Sequence, residues 1–348
     1  MPSLQEDISF IRKELETSKK PLFLFDDDPD WLTSFLLLYR KIQRGKGIFI
    51  KSSPNIEKKY LKQVQEYGPD KIFILDMPIV EQEFIDGALQ SGVQKILWID
   101  HHEPQKNTGV YYLNPRNYID ADNRPTNYWA YLIVQQDQWI AIVGCLSDWF
   151  LPEFAAEFSS KYPEMLPSNI TKVDEALFTT KIGGLSRIFS FILKGKSDDA
   201  KKCIKILTRL EHFDEVLHQT TAQGKFVYQK FEAINKEYLE TLDNTKNAQI
   251  VGNLLLYKYS EMKTSFTSDL SNELLFKNPG KAILICREKS GEMKCSMRGA
   301  NYDLPTIIHK SLEGLQGYGG GHTHACGVCV KLRDWDVFLE RVKKEIES

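Results

Sequence analysis

Four short apolar runs, PLFLF at 21–25, GIFIK at 47–51, KIFILD at 71–76 and KILWID at 95–100, recur between stretches whose apolar residues follow a helical spacing. The runs are rich in Ile, Leu and Phe and do not alternate with polar residues. Strands buried on both faces of a parallel sheet have this pattern, because neither face is free to carry polar side chains. The rhythm predicts βαβ units and an open α/β sheet with helices on both sides. VYYLNPRN predicts one further strand, and TNYWAYLIVQQ and QWIAIVGCLSDW predict helices that bring the first lobe toward its end.

From about 152 to 245 the pattern is helical throughout. The segment AKKCIKILTRLEHFDEVLHQTTAQGKFVYQKFEAINKEYLETL carries apolar residues at helical spacing among many charges, so it reads as a connector with a solvated face. After about 246, AQIVGNLLLYKYS, KAILICREKSGEMKCSMRGA and ACGVCVKL predict the strands of a second, smaller α/β lobe, closed by a C-terminal helix. The expected organisation is a first domain over 1–190, a helical connector over 191–245 and a second domain over 246–348.

A length of 348 residues suits two domains with a cleft between them. Net charge is −2, so the chain lacks the strongly basic footprint of a duplex binder, and any nucleic-acid contact must be local. The six cysteines sit mostly inside apolar runs with no disulfide framework, and Cys326 and Cys329 of CGVC read as buried structural thiols. The N-terminal MPSLQEDISFIRKELETSKK has no apolar signal region, and no stretch approaches the roughly 20 apolar residues of a bilayer span. A cytoplasmic location without membrane insertion is expected.

Acidic residues fall at strand ends. PLFLF runs into Asp26, Asp27, Asp28, Pro29 and Asp30; KIFIL ends at Asp76; KILWI ends at Asp100, His101 and His102. In an open α/β sheet the carboxyl ends of neighbouring strands converge on one crevice. That many carboxylates in one place repel strongly unless cations neutralise them. Mixed carboxylate and imidazole donors suit Mn²⁺ first and Mg²⁺ as a substitute. Asp26, Asp28 and Asp30 alternate along an extended exit and would serve two adjacent ions, an arrangement that activates water and stabilises phosphoryl charge.

These residues resemble the motifs of the DHH phosphoesterase family, in the branch with a DHHA1 domain that includes RecJ-like exonucleases and nanoRNases. Asp26-Asp27-Asp28-Pro29-Asp30-Trp31-Leu32-Thr33-Ser34 is similar to the first motif, Asp76 to the second and Asp100-His101-His102 to the third. Asp148 in GCLSDWF is similar to the fourth, with Asp137 as its nearest rival. Gly319-Gly320-Gly321-His322 matches the GGGH motif of the C-terminal domain, and SMRGANYDL supplies Arg298. The resemblance departs at Trp31, where the family usually has Gly, and at Pro29.

The resemblance implies a DHH catalytic domain followed by a DHHA1-type substrate-binding domain. It implies that Asp26, Asp28 and Asp76 hold one ion, and that Asp30, Asp76, His101 and Asp148 hold the other. His102 then lies beside the substrate phosphate, with Asp100 orienting a histidine. Arg298, His322 and a nest of N–H groups at Gly319, Gly320 and Gly321 grip phosphate, with His324 as a secondary support. The expected activity is hydrolysis of single-stranded DNA or RNA, or of short oligonucleotides, by water activated between two metals, with a replication or repair protein as partner. Two alternatives stand beside it: a phosphatase of small molecules (a bisphosphorylated nucleoside, a cyclic dinucleotide or polyphosphate), and an inactive Cdc45-like scaffold.

Overall fold

A computed structural model of the chain describes residues 3–25, 28–50, 55–260 and 264–347. The chain divides into two units, 1–232 and 233–348. The described residues of the first unit contain β1 (Leu22–Phe25), β2 (Lys46–Phe49), β3 (Asn55–Ile56), β4 (Lys71–Leu75), β5 (Ile79–Val80), β6 (Lys95–Ile99) and β7 (Tyr111–Leu113). Five of them form a parallel sheet in the order β2-β1-β4-β6-β7, while β3 and β5 pair separately.

The missing alternation in the apolar runs follows from burial on both faces. Leu22, Leu24, Ile72, Ile74, Ile96 and Trp98 pack on one side with Val64, Phe84 and Ile85. On the other side Phe23 stacks on Phe73 at 5.4 Å and Phe25 on Phe35 at 4.4 Å. Each such side chain contributes about 1.5–3 kcal/mol by leaving water. From β1 the chain crosses through helix Pro29–Ile42 to β2, then passes to the other side of β1 to reach β4. The strand order therefore reverses between β1 and β4, where open α/β sheets bind ligands.

Residues 191–232, the first part of the expected connector, fall within this unit. The reason is the burial of their apolar stripe, including Cys203, Leu207, Leu210, Phe213 and Val216. Arg40 donates to the carbonyl oxygens of Leu207 and Leu210, and the Phe213 ring lies 5.1 Å from that of Tyr162. The division at 232/233 falls inside helix Ala222–Asn244.

The second unit contains β8 (Gln249–Val251), β9 (Leu254–Tyr259), β10 (Ala282–Lys289), β11 (Glu292–Arg298), β12 (Gly317–His322) and β13 (Ala325–Lys331) in the order β12-β13-β11-β10-β9-β8. Only β9 and β10 run parallel. Helices Leu304–Leu312 and Trp335–Glu347 cover one face over an apolar core. Helix Thr267–Lys277 lies on the other face over β10 and β11, where Ser271 and Ser296 hydroxyls meet at 3.0 Å. All six cysteines are buried free thiols. Among the described residues no single helix is long and apolar enough to cross a membrane.

Candidate metal centre

The sheet delivers its acidic residues to the strand ends. β4 ends into Asp76, whose N–H donates to the Ile99 carbonyl at 2.8 Å and whose φ of +52° turns the chain away from the sheet. A left-handed non-glycine residue is uncommon, and such residues concentrate at functional sites. β6 ends into Asp100, His101 and His102, and helix Gln138–Ser147 ends at Asp148. Asp76 Oδ1 lies 3.4 Å from His101 Nε2 and 3.8 Å from His102 Nδ1, and His101 Nε2 lies 3.9 Å from Asp148 Oδ2. Asp76, His101 and His102 form one group of donor atoms within 4.8 Å of one another, and Asp30, His101 and Asp148 form a second. Asp26 and Asp27 lie outside the described residues.

Asp28 and Asp30 are not alternating positions of one extended strand. Pro29 opens a helix, a position its fixed φ suits. Asp28 is that helix's N-cap, its Oδ1 accepting from the N–H of Asp30 at 2.9 Å and of Trp31 at 3.4 Å. Asp28 is in neither donor group, although its charge acts on Asp30. Asp30 faces a different helix: its two oxygens accept the N–H groups of Thr126 and Asn127, each at 2.9 Å, at the start of helix Thr126–Val134. Trp31, where the family usually has Gly, lies in the core. Its ring is 1% exposed and meets Phe25 edge-on at 5.2 Å, so it fills the aromatic side of the sheet.

Asp148 and Asp137 sit at opposite ends of helix Gln138–Ser147. Asp137 is taken by Arg40, with two bonds of 2.8 Å, and does not join the acidic groups.

Thr126 is a site residue that the pattern of acids alone did not reveal. Its N–H binds Asp30, and its Oγ1 donates to Asp76 Oδ1 at 2.8 Å, so one residue fixes two carboxylates. The available signal was the helix start at Pro125-Thr126, since the first amides of a helix attract an anion.

Both histidines are oriented. His101 Nδ1 donates to the Asn123 carbonyl at 3.3 Å, which leaves Nε2 facing Asp76 and Asp148. His102 Nδ1 donates to Asp100 Oδ1 at 2.8 Å. Asp100 is fully buried and also accepts from the His102 N–H, Tyr112 Oη and Asn114 Nδ2 at 3.1, 3.1 and 3.4 Å. That network holds Asp100 as the partner of His102.

Burial pushes Asp30 well above the usual carboxylate range, and Asp76, Asp148 and Asp28 add to this against the Asn127 N–H. Burial also raises Asp76, although His101 and His102 pull it down. For Asp148 burial raises the group, His101 lowers it and Asp76 raises it again, to about 6. Its carboxylate is 40% exposed, so solvent screening limits what that shift contributes to stability. Burial alone would lower His102, but the Asp100 bond and the charges of Asp76, Asp100 and Asp148 push it up to about 9.

The donor set fits divalent cations. No Lys or Arg pairs with Asp30, Asp76 or Asp148 among the described residues. An octahedral ion with bonds of about 2.1 Å sets neighbouring ligand atoms about 3 Å apart, and the separations of 3.4 to 3.9 Å need little adjustment to meet that. Metal would replace protons as the neutralising charge.

A pH signature follows. Unfolded carboxylates titrate near 3.8 and histidine near 6.5, whereas the folded groups hold their protons higher, to about 6 for Asp148 and about 9 for His102. Between those values the metal-free folded chain binds more protons than the unfolded one, so stability falls as pH rises. Groups lowered by folding, such as Asp70 and Glu215, titrate below this window. In EDTA, the thermal midpoint is expected to drop from pH 5 to pH 8, and the gain on adding Mn²⁺ to grow over the same range. A metal-free midpoint that climbs from pH 5 to 8 contradicts this.

In the second unit Arg298 closes β11. Its guanidinium donates to Asn272 Oδ1 at 2.6 Å, Ser268 Oγ at 2.9 Å and the Met297 and Cys326 carbonyls at 2.9 and 3.4 Å. It forms no ion pair among the described residues, so its charge is held in place by neutral groups. Gly319, Gly320, Gly321 and His322 are not a nest: they lie in the edge strand β12, with Gly320 opposite Gly327 and His322 opposite Ala325. Every second N–H of an edge strand faces outward, which still offers donors to an anion. Gly321 has φ +148°, and a Cβ there would come within 2.3 Å of the Ala325 carbonyl oxygen. Arg298, Ala325 and His322 form one row across three strands, which sets Arg298 and His322 about 10 Å apart on the same face. His324 Nδ1 lies 3.2 Å from the Gly299 carbonyl oxygen, in that same corner.

No protein-family model matches the chain, and no curated protein matches its sequence. Solved structures do match. RecJ from Thermus thermophilus in complex with Mn²⁺ is 15% identical over 99% of this chain and 54% of that one, with a TM-score of 0.65. A DHH domain from a member of the s1p family of ribosomal proteins is 15% identical over 99% and 91%, with a TM-score of 0.66. The pGpG-specific phosphodiesterase PggH from Vibrio cholerae is 13% identical over 94% and 99%, with a TM-score of 0.52. The chain spans about half the length of the Thermus protein. At these identities the likeness is one of fold, and the fold is that of the DHH/DHHA1 phosphoesterases.

Proposed function

We propose that this chain is a divalent-metal-dependent phosphodiesterase that hydrolyses single-stranded nucleic acid or short oligonucleotides. The observation that carries the reading is the gathering of Asp30, Asp76, His101 and Asp148 at the switch point of the sheet, with no Lys or Arg paired to the carboxylates among the described residues. Asp76, which approaches both histidines, is the natural shared ligand; Asp30, His101 and Asp148 would complete one site, and Asp26 with Asp28 the other. Imidazole among the donors favours Mn²⁺, with Mg²⁺ as substitute.

Bound there, a divalent pair would lower the pKa of water and neutralise phosphoryl charge. The chain supplies the rest. Thr126 holds Asp30 and Asp76 at a fixed separation. Asp100 turns His102 so that Nε2 is free to donate to a phosphoryl or leaving-group oxygen, and the Asp100 bond favours the protonated ring. Arg298, His322 and the outward N–H groups of Gly319 to Gly321 would hold a further phosphate.

A manganese-bound exonuclease RecJ is matched over 95% of its length and PggH over 99%, so single strands, dinucleotides and small molecules all stay in the assay. The deciding assay compares a 5′-phosphorylated dinucleotide, a cyclic dinucleotide, 3′,5′-bisphosphorylated adenosine and end-labelled single-stranded DNA and RNA, each with Mn²⁺. Turnover of the linear oligonucleotides that disappears in Asp76→Ala supports the proposal. Equal rates in the two proteins eliminate it.

A further inference from the structure

Trp149 follows Asp148 directly and stands apart from the other tryptophans. Trp31, Trp98, Trp129, Trp139 and Trp335 are at most 7% exposed, whereas Trp149 is 40% exposed. Its backbone is left-handed, with φ +57°. The Trp149 N–H donates to the Leu146 carbonyl at 3.0 Å and the Phe150 N–H to the Cys145 carbonyl at 2.9 Å. These two bonds are the Schellman closure of helix Gln138–Ser147, and the residue they place in the left-handed region is usually Gly, because a Cβ is disfavoured there. The turn therefore does not call for tryptophan, and neither does the core. The ring is buttressed by Phe178 of helix Val173–Thr179, with centroids 6.2 Å apart and planes at 59°. A large aromatic face is thus held, against backbone preference and half in water, one residue from a carboxylate of the metal centre.

We propose that Trp149 is a stacking platform for the nucleobase attached to the phosphoryl group at that centre, so that the site selects nucleotides over base-free phosphodiesters. This rests on the phosphoesterase reading above. Stacking uses the face common to all bases, so the preference is for a heterocycle and not for one sequence.

Two readouts test it in the full-length protein. The first is the ratio of kcat/KM for a 5′-phosphorylated adenine dinucleotide to that for its abasic counterpart, with Mn²⁺. Trp149→Ala is expected to lower this ratio about tenfold, within the range of base–aromatic stacking, and Trp149→Tyr to retain most of it. The second uses unmodified protein, since Trp149 supplies the solvent-accessible tryptophan emission. A non-hydrolysable methylenephosphonate dinucleotide is expected to protect that emission from acrylamide, and its abasic form to leave it quenchable. An unchanged ratio in Trp149→Ala, or no protection by the base-bearing analogue, overturns the proposal. If neither dinucleotide is hydrolysed by the parent protein, the phosphoesterase reading fails, and protection by the analogue alone decides whether Trp149 binds a base.

Discussion

Asp76→Asn is expected to abolish hydrolysis and divalent-ion stabilisation while making the metal-free protein more stable than its parent. The three effects share one cause. Asp76 is 4% exposed, its carboxyl is pushed up by burial, and an amide of the same shape removes the buried charge. Asn Oδ1 can still accept from Thr126 Oγ1, so the local hydrogen bond survives. The same exchange removes the ligand closest to both histidines. Loss of several kcal/mol of charge stabilisation lowers the rate by roughly 10³-fold or more. Ion binding at 100 times Kd adds about 2.7 kcal/mol to the parent protein, or roughly 5–10 °C for a unit of this size. Differential scanning fluorimetry with and without Mn²⁺, beside the rate assay, reads all three. A variant that keeps both its rate and its Mn²⁺ shift removes Asp76 from the centre.

His102→Gln is expected to behave differently, with kcat lowered by roughly 10²–10⁴-fold and the Mn²⁺ shift retained. Its Nδ1 is engaged by Asp100 at 2.8 Å, whereas His101 directs Nε2 at the carboxylates and gives Nδ1 to a backbone carbonyl. Both histidines approach Asp76, but their Nδ1 atoms have separate partners, and only His101 belongs with Asp30 and Asp148. The bond to Asp100 favours the protonated ring, so the alkaline limb of the parent's pH profile is expected to flatten in the variant. Loss of the Mn²⁺ shift in His102→Gln would instead make this residue a ligand.

Much of this site is legible in the sequence. A buried parallel strand needs apolar residues on both faces, so the first polar residue after the run marks the strand end, and Asp76 and Asp100 stand there. Helix capping is harder to read, because Asp28 and Asp30 differ only in which side of Pro29 they occupy. The cap falls to Asp28, and Asp30 turns to the amides of a helix almost a hundred residues on. Thr126 escapes because its role depends on that long-range packing, which neither spacing nor charge encodes. The glycine run is ambiguous in another way: glycines permit a nest and an edge strand equally, and pairing with β13 decides between them. Residues 191–232 resemble a connector because their many charges hide a stripe wide enough to bury.

The proposed metal binding, base selection and acid role of His102 all depend on the carboxylates being gathered in one place. Isothermal titration of the metal-stripped protein with Mn²⁺ at pH 7.5, with the protons released counted in parallel, probes that gathering without assuming any substrate. Two ions bound per chain, with protons released as they bind, is the expected result. No binding up to millimolar Mn²⁺ would contradict it and leave a protein that shares the phosphoesterase fold without its chemistry.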